Sequence, residues 1–256
     1  MPEQIQHIAS NVGPSRIDIA YQQVANPGAP RALLIMGLGG QSIHWPDAFC
    51  HALAALGLEV IRFDNRDAGL STHFPAAPPP NLPAALAGDL SSASYTLSDM
   101  AADAVGLLDA LGIASAHLIG ASMGGAIAQT IAIEYPGRVR SLTSMMSTTG
   151  DMSVGQASPD LLRELSAGPP ALTRDEVIER MLRASRAVAS PAYPPDEEEA
   201  AARAALAYDR SYDPTGIARQ ALASVASGDR TGKLPPGLRA QLAARIAGFI
   251  WQAEGR

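Results

Sequence analysis

Short apolar runs alternate with longer segments of helical spacing along the first 150 residues of the chain. Each run has the length of a strand and the Val, Ile and Leu content of strands that a sheet buries. The runs are Arg16–Val24, Ala32–Gly37, Glu59–Asn65, Ala116–Gly120 and Arg138–Ser147. Because strands that alternate with helices form parallel sheets with helices on both faces, the pattern predicts an α/β fold with a doubly wound, mostly parallel sheet.

The segments between these runs carry apolar positions at helical spacing. The sequence "HWPDAFCHALAALG" predicts a helix closed by Gly57, and "TLSDMAADAVGLLDALG" predicts a second helix. In the second, Thr96 and Asp99 have the spacing of a capping box, and Gly112 stands where a helix stop is expected. The prolines of "PAAPPPNLPAALAG" predict a surface loop without regular structure.

The pattern changes after residue 150. Residues 151–230 are rich in alanine, arginine and glutamate, and they predict an all-helical insertion. Residues 231–256 predict a final helix that returns to the core, with an apolar stripe made of Leu238, Leu242, Ile246, Phe249 and Ile250. The predicted division is therefore a core of residues 1–150, a helical domain of residues 151–230 and a C-terminal helix of residues 231–256.

Composition and charge restrict the possible functions. The 256 residues carry a formal net charge of −6 and no basic run, which argues against nucleic acid or an anionic membrane as a partner. No signal peptide is recognisable, and no apolar run approaches the roughly 18 residues that cross a bilayer. The chain has one cysteine, Cys50, so it cannot form an internal disulfide. Cys50, His44 and His51 could together suggest a metal site, but no fourth ligand is apparent, so none is expected. A soluble cytoplasmic protein is the expectation.

The candidate chemistry lies in "HLIGASMGGAIAQ", where an apolar strand passes directly into a helical segment. Gly120, Ser122 and Gly124 form a Gly-x-Ser-x-Gly motif at this junction, which is the context of a nucleophile elbow. The glycines let strand and helix pass closely, and the helix N-terminus favours a developing oxyanion. Ser122 is therefore the candidate nucleophile, and the alternative is an ordinary glycine-rich turn.

A second glycine-rich turn, "GLGG" at residues 37–40, follows an apolar run. Its backbone N–H groups can point at a substrate oxygen, so Leu38 and Met123 are predicted to form a two-donor oxyanion hole. The alternative is a flexible strand exit. Two phosphate-binding motifs do not fit the sequence. A P-loop needs lysine where Ala126 stands, and a dinucleotide-binding fingerprint needs its third glycine where Ser42 stands. No cofactor is expected.

In order and spacing, "IMGLGG", "VIRFDNRDAGLSTHF" and "GASMGGAIAQ" resemble the α/β-hydrolase superfamily, and within it the bacterial hydrolases grouped with aclacinomycin methylesterase. The resemblance implies ester hydrolysis through an acyl-enzyme without a cofactor, with Ser122 as nucleophile and Leu38 and Met123 as oxyanion donors. It also implies that Asp64–Ser71 is a structural turn beside the site and that the helical block is a cap. Met36 replaces a histidine found in many members, which leaves the backbone donor intact.

The resemblance extends from Arg16 to Thr149, and it places the acid and the histidine of a catalytic triad after the serine. All five histidines of this chain precede Ser122; they are His7, His44, His51, His73 and His117. His44 and His73 follow predicted strands at the same rim of the sheet as Ser122, so they are the candidate substitutes for the base. The triad acid and base otherwise have no assigned residue.

The other three histidines are expected to lie out of reach of Ser122. His117 is on the strand that leads to the serine, about 16 Å away at the rise of a strand. His51 is expected on the outer face of a helix, and His7 in a frayed terminus.

The junction at Leu234–Pro235 offers a reason for the missing base. The cap-like ending "SGDRTGKL" is followed at once by a helix that resembles the one after the family's histidine loop. Our hypothesis is that two strands, a helix and their loops are missing here, roughly 40–60 residues at ordinary element lengths. The alternative is a divergent member without them. The expected architecture is thus an α/β-hydrolase fold lacking its last two strands, with a helical cap.

Two functions fit these observations. The first is a serine hydrolase that acts on a small carboxylic ester, with Met123, Met145 and Met146 as a soft apolar wall. The second is a non-catalytic remnant or ligand-binding protein of the same fold. Loss of a triad member typically leaves about 10³–10⁴-fold catalysis over water. Loss of two strands would expose the "LTSMMS" edge, so self-association is also expected.

The deletion hypothesis is tested by sequencing the native locus of the gene. It predicts that the native reading frame differs from this sequence at Leu234–Pro235, because the missing block would be encoded there. An intact frame of this length would remove the hypothesis and favour divergence.

Overall fold

The computed structural model describes residues 5–166, 173–190, 192, 194 and 196–237. By their contacts the residues form two compact units. The first contains the chain up to Gly155 and again from Pro214, and the second is Gln156–Asp213. The predicted final helix and its apolar stripe lie almost entirely outside the described residues, which end at residue 237. The division into a core, a cap and a C-terminal helix stays a prediction.

The first unit is built on a six-stranded sheet. Its strands are β1 His7–Val12, β2 Ile17–Val24, β3 Arg31–Ile35, β4 Glu59–Phe63, β5 Ala116–Ala121 and β6 Val139–Met145. Their order in the sheet is β1-β2-β4-β3-β5-β6. Strands β4, β3, β5 and β6 pair in parallel, whereas β2 is antiparallel to both β1 and β4. The predicted mostly parallel sheet is confirmed.

Helices cover this sheet and make up the described part of the second unit. They are α1 Asp47–Ala55, α2 Leu82–Leu86, α3 Leu97–Ala110, α4 Met123–Glu134, α5 Pro159–Ser166, α6 Arg174–Val188, α7 Glu197–Arg210 and α8 Pro214–Ser227. Helix α8 belongs to the first unit, although the sequence places it within the predicted cap.

The central strands are buried on both faces because successive side chains point to opposite sides of a sheet. On one face, Leu33 and Ile35 of β3 belong to a core cluster with residues of α3 and α4. On the other face, Leu34 belongs to a smaller cluster with Trp45 and with Cys50 of α1. The continuous apolar runs of the sequence therefore correspond to strands with helices on either side, which is a doubly wound arrangement.

Helix α3 begins and ends where the sequence predicts. The backbone N–H and the hydroxyl of Thr96 both donate to Oδ2 of Asp99 at 2.8 Å, which forms one half of the capping box. Beyond the helix, Gly112 has a φ of 67° and its N–H donates to the carbonyl of Asp109. Glycine adopts this left-handed conformation without a steric penalty, so the helix stops there.

Two sequence-based expectations are wrong in this unit. His7 does not lie in a frayed terminus: it pairs with Tyr21 in the β1–β2 ladder, and the two rings stack with centroids 5.3 Å apart. The proline-rich loop contains the short helix α2, because Pro83 occupies the first turn, where its missing N–H costs no hydrogen bond. The side chain of Asn81 caps that helix by accepting from Ala84 N–H at 3.1 Å.

In the second unit the predicted helices form. Helix α6 starts with a reciprocal capping box, in which Thr173 N–H donates to Glu176 at 2.9 Å and Glu176 N–H donates to the Thr173 hydroxyl at 3.3 Å. The start of α6 is joined to the end of α7 by a bidentate pair between Arg174 and Asp209, with distances of 2.8 and 2.6 Å. Sequence capping signals therefore set the start of α6 in this unit as well.

Strand β6 is the last in the strand order, so one of its sides has no neighbouring strand within the described residues. Arg140, Ser141 and Thr143 of this strand are exposed. An uncovered edge offers N–H and C=O groups to a strand of another chain. Among the helices of the described residues, none combines the length and the apolar character of a membrane-spanning segment.

Self-association through β6 is predicted to give dimers or larger species in size-exclusion chromatography with light scattering. Thr143→Lys places a charge on the edge and should shift the protein towards monomer, because edge charges oppose strand pairing. Ala52→Lys, at an exposed position of α1, is the matched control and should not change the distribution. A monodisperse monomer at all concentrations would contradict the prediction.

Candidate active site

Ser122 occupies the turn between β5 and α4. Its backbone has a φ of 53° and a ψ of −121°, a combination that residues with a side chain rarely adopt. The Ser122 N–H donates to the carbonyl of Met145 in β6 at 2.8 Å, and its carbonyl accepts from Gly125 and Ala126 in α4. Ser122 is exposed while both of its chain neighbours are buried. The turn therefore presents the hydroxyl at the N-terminus of a helix, as an elbow requires.

The glycines of the motif are required by close backbone contacts. A Cβ on Gly120 would lie 2.2 Å from the carbonyl oxygen of Gly124. A Cβ on Gly124 would lie 2.0 Å from the carbonyl oxygen of Ile35 at the end of β3. Both separations are far below van der Waals contact, and both partners are backbone atoms that cannot move aside. The packing of β5 on α4, and of α4 on β3, thus needs glycine at these two positions.

The loop after β3 passes directly beside the serine. A Cβ on Gly37 would lie 3.0 Å from Cβ of Ser122 and 3.6 Å from its Oγ. The next residue, Leu38, and the first residue of α4, Met123, are the predicted oxyanion donors. Neither backbone N–H has an acceptor among the described residues. Two backbone amides without an acceptor among the described residues therefore lie near the serine: that of Met123, the next residue in the chain, and that of Leu38, in the loop after β3.

The turn Asp64–Ser71 after β4 lies beneath this loop and is joined to it by hydrogen bonds. Asp64 is fully buried and accepts from Ser42 N–H at 2.6 Å and from Leu70 N–H at 3.0 Å. The side-chain amide of Asn65 donates to the carbonyl of Met36 at 2.9 Å. These bonds satisfy buried polar groups that would otherwise destabilise the loop. The structure thus gives this turn a supporting position beside the site.

The same turn is fixed by a buried ion pair with α8. Arg219 binds both carboxylate oxygens of Asp67 at 2.8 Å, and Tyr95 donates to the carboxylate at 2.7 Å. The two charged side chains are 2% and 0% exposed. Burial alone would raise the pKa of Asp67, but the hydrogen bonds from Arg219 and Tyr95 outweigh it and hold this pKa below its usual range. Burial, together with the adjacent Asp67, raises the pKa of the Tyr95 hydroxyl.

The preceding residue of the turn, Arg66, is paired with a different helix. Its guanidinium donates to Asp103 of α3 at 2.6 and 2.7 Å. The same guanidinium lies 4.9 Å from the ring centroid of Tyr95 and 5.5 Å from that of Phe74, within the range of cation–π contacts. Two consecutive turn residues are thus held by α3 and α8, which makes the turn rigid.

The candidate bases His44 and His73 are engaged elsewhere. Nδ1 of His44 accepts from Gln41 N–H at 2.9 Å, and Nε2 of His73 donates to the carbonyl of Gly69 at 3.0 Å. Within the described part of the chain, neither histidine nor any other residue forms a hydrogen bond with Oγ of Ser122. Any role for His44 or His73 as base therefore requires a different arrangement of these side chains.

Of the three histidines expected far from the site, His117 and His51 also have defined surroundings. Nδ1 of His117 lies 2.8 Å from the hydroxyl of Ser141 on β6, so this ring is occupied by a strand-to-strand contact. For His51, the expectation of an outward-facing side chain is wrong in part. Its Nε2 is buried and has no hydrogen-bond partner among the described residues.

Cys50 is not placed for chemistry. Its side chain is fully buried in the core cluster beside Trp45, and burial raises the pKa of the thiol although Arg62 acts against this. Within the described residues, Cys50 does not form a three-ligand group with His44 and His51. The cysteine is therefore a core residue.

Arg219 and its neighbour Gln220 attach α8 to the loops around Ser122, and the sequence pattern does not indicate either role. Gln220 is fully buried, and its side chain contacts the backbone of both loops. The only sequence signal is a pair of adjacent polar residues within the Ala-rich stretch "GIARQALASVAS". That signal does not identify the partners, because they are more than 150 positions away along the chain.

Comparison with known proteins identifies the family of this chain. A family model described as the alpha/beta hydrolase fold matches residues 31–182. This chain therefore belongs to the α/β-hydrolase family. Rhodomycin D methylesterase DauP from Streptomyces sp. (strain C5) is 30% identical over 205 residues, and DnrP from Streptomyces peucetius is 30% identical over 204 residues. The predicted likeness to bacterial methylesterases is confirmed.

The extent of these matches is limited. The alignments cover 72% of this chain, and the chain spans 63% of the length of each of the two methylesterases. Among solved structures, 2-hydroxy-6-oxo-6-phenylhexa-2,4-dienoate hydrolase from Rhodococcus sp. strain RHA1 superimposes with a TM-score of 0.63 and 21% identity, over 93% of this chain and 76% of that one. At that identity the likeness defines the fold alone.

The buried pair Asp67–Arg219 predicts a pH dependence of stability. Asp67→Asn leaves Arg219 buried without its countercharge, which typically costs about 3–5 kcal/mol at neutral pH. Because the folded-state pKa of Asp67 is lowered, the ionised carboxylate stabilises the fold fully above its unfolded-state pKa of about 3.9, and this contribution is lost as the pH falls through the folded-state pKa. Urea unfolding between pH 7 and pH 3 should show the gap between the two proteins closing in acid. A constant gap would contradict the prediction.

Proposed function

We propose that this chain is a serine hydrolase that cleaves a small carboxylic ester through an acyl-enzyme at Ser122. The observation that carries the proposal is the conformation of this residue: an exposed serine with a φ of 53° at the start of α4, flanked by two unpaired amides. A strained backbone at one exposed nucleophilic side chain is typical of functional sites. The names of the two methylesterases support an ester as the substrate class.

In this proposal Oγ of Ser122 attacks the carbonyl carbon of the ester, and the proton of the Ser122 hydroxyl passes to solvent water. The carbonyl oxygen becomes an oxyanion, which accepts hydrogen bonds from the N–H groups of Leu38 and Met123 and lies at the positive end of the α4 dipole. The C–O bond to the alcohol breaks and the alcohol takes a proton from solvent. Water then attacks the acyl-enzyme, which releases the carboxylic acid and returns the hydrogen to Ser122.

The apolar side chains near the serine favour an ester with an apolar acyl or alcohol group. Met145 lies at the end of β6, where its carbonyl accepts from Ser122 N–H, and Met146 follows it with a φ of 49° and 76% exposure. Leu38 is 47% exposed on the other loop. A flexible thioether adapts to substrates of different shape.

A second candidate is a ligand-binding protein of the same fold without turnover. It is favoured by two observations: every histidine of the sequence precedes Ser122, and the serine hydroxyl forms no hydrogen bond with the described residues. A serine without a base is a weak nucleophile, so binding without cleavage would follow. Under either function we keep the predictions of a cytoplasmic location and a small-molecule partner.

The two candidates are separated by p-nitrophenyl acetate hydrolysis and by labelling with a fluorophosphonate. A serine hydrolase should label at Ser122, and Ser122→Ala should abolish the label and slow hydrolysis by about tenfold or more, since the attacking atom is lost. Ser141→Ala, which removes a hydroxyl elsewhere on β6, is the matched control and should behave like the unmodified chain. Equal hydrolysis by the unmodified chain and Ser122→Ala, with no label, would support the ligand-binding protein.

A further inference from the structure

Gln220 of α8 joins the two loops that surround Ser122. Its side-chain oxygen accepts from Gly39 N–H at 2.8 Å, and its side-chain nitrogen donates to the carbonyl of Arg66 at 2.6 Å. Gln220 is fully buried. Both ends of the amide are therefore used, one on the loop after β3 and one on the turn after β4. A buried amide with both ends bonded to backbone has a single favourable orientation.

The contact with Gly39 acts on the turn that carries Leu38. Gly40 N–H donates to the carbonyl of Gly37 at 3.0 Å, which closes a four-residue turn over residues 37–40. The Gly37 carbonyl and the Leu38 N–H belong to the same peptide plane and point in opposite directions. The bond that closes the turn therefore also sets the direction of the Leu38 N–H. The next peptide plane, between Leu38 and Gly39, carries the Gly39 N–H, which donates to the side-chain oxygen of Gln220.

Neighbouring residues restrict the turn to this arrangement. Gly39 has a φ of 64°, and a Cβ at this position would lie 2.9 Å from Cγ1 of Ile217 on α8. Arg219, next to Gln220, is bound to Asp67 on both carboxylate oxygens. Helix α8 thus contacts the glycine turn from residues 217 and 220 and the second loop from residues 219 and 220. A buried ion pair fixes its position relative to the second loop, and the contacts of residues 217 and 220 fix it relative to the glycine turn.

We infer that Gln220 is a positioning residue for the oxyanion hole: by holding the Leu38–Gly39 peptide plane, it stabilises the turn whose closing bond sets the direction of the Leu38 N–H beside Ser122. The inference rests on the proposed function for its catalytic consequence. Without the side-chain amide, the Gly39 N–H loses a buried acceptor, and rotation of the Leu38–Gly39 plane opens the Gly40–Gly37 bond that closes the turn. The Leu38 N–H then no longer points consistently at the oxygen that acquires charge. A donor that is not preorganised stabilises the transition state less.

The test compares Gln220→Leu, which keeps side-chain size but cannot bond, with Ser227→Ala. Ser227 accepts from Leu97 N–H at 2.9 Å, so its loss also weakens the attachment of α8, but at α3 and not at the glycine turn. Amide hydrogen exchange of residues 36–41 reports the turn directly, and the rate of fluorophosphonate labelling at Ser122 reports the oxyanion hole. Thermal unfolding shows whether both variants fold and lose similar stability.

In the unmodified chain the Gly39 amide should be protected from exchange. Gln220→Leu should speed exchange in residues 36–41 and slow labelling by about tenfold or more, the scale of losing part of an oxyanion donor. With p-nitrophenyl acetate, kcat should fall while KM stays unchanged, because the oxyanion forms only in the transition state. Ser227→Ala should leave exchange in these residues and labelling unchanged.

An unprotected Gly39 amide in the unmodified chain would overturn the inference, and this holds even if Gln220→Leu does not fold. Equal labelling rates for Gln220→Leu and Ser227→Ala would also overturn it, even with faster exchange, because the contact would then be structural only. If Ser122 of the unmodified chain is not labelled at all, the proposed function fails. Amide hydrogen exchange of residues 36–41 then tests the positioning of the turn by itself. Equal exchange rates in Gln220→Leu and Ser227→Ala would show that Gln220 does not position Leu38.

Discussion

The site depends on one strained residue, Ser122, which is held at positive φ between a buried strand and a helix. A residue with a side chain does not stay in that conformation unless its surroundings impose it. Here they do so through close backbone packing, because Gly120 and Gly124 bring β5, α4 and the end of β3 within contact distances that a methyl group would prevent. The hydrogen bond from Ser122 to β6 completes the constraint. The core therefore positions the hydroxyl, and the same packing places the loop after β3 beside it.

The loops around the serine are held by polar contacts rather than by apolar packing. Asp64 and Asn65 form hydrogen bonds with the backbone of the loop after β3. Arg66 is paired with a residue of α3, and Asp67 with a residue of α8. Such groups are costly to bury unless they have partners, so the paired groups of this network have few alternative arrangements. Rigid loops are what an oxyanion hole needs, since its donors must point at the developing charge before the reaction begins. Gln220 extends this network to the turn that carries Leu38, the proposed oxyanion donor.

Local features of the sequence were sufficient to predict strands β2 to β6, helix α3 and a strand-to-helix turn at Ser122. Apolar runs identify buried strands because a doubly wound sheet covers both faces, and the capping box of Thr96 and Asp99 depends on residues three positions apart. The Gly-x-Ser-x-Gly motif is equally local. The proline-rich pattern does not indicate helix α2, because proline breaks the interior of a helix but is compatible with its first turn, where Pro83 lies. The sequence pattern does not indicate strand β1, because its residues are mostly exposed and form no apolar run. This strand forms by pairing with β2.

The contacts of α8 could not be predicted for a related reason. Gln220 and Gly39 are 181 positions apart, and a single glutamine in a helix gives no information about its partner. The pairing of Arg219 with Asp67 is equally remote in the chain. These contacts depend on how the helix packs on the completed sheet, which the pattern of one segment does not encode. The sequence therefore indicates the strand–helix turn that carries the candidate nucleophile, but it does not indicate which residues position the groups around it.

The central claim is that Ser122 and the amides of Leu38 and Met123 form one reactive site. A crystal structure of the chain after treatment with a fluorophosphonate tests this most directly. The account predicts a phosphorus atom bonded to Oγ of Ser122, with one phosphonyl oxygen within hydrogen-bond distance of both amide nitrogens. A phosphonyl oxygen that points to solvent, away from both amides, or a modified residue other than Ser122, would contradict it.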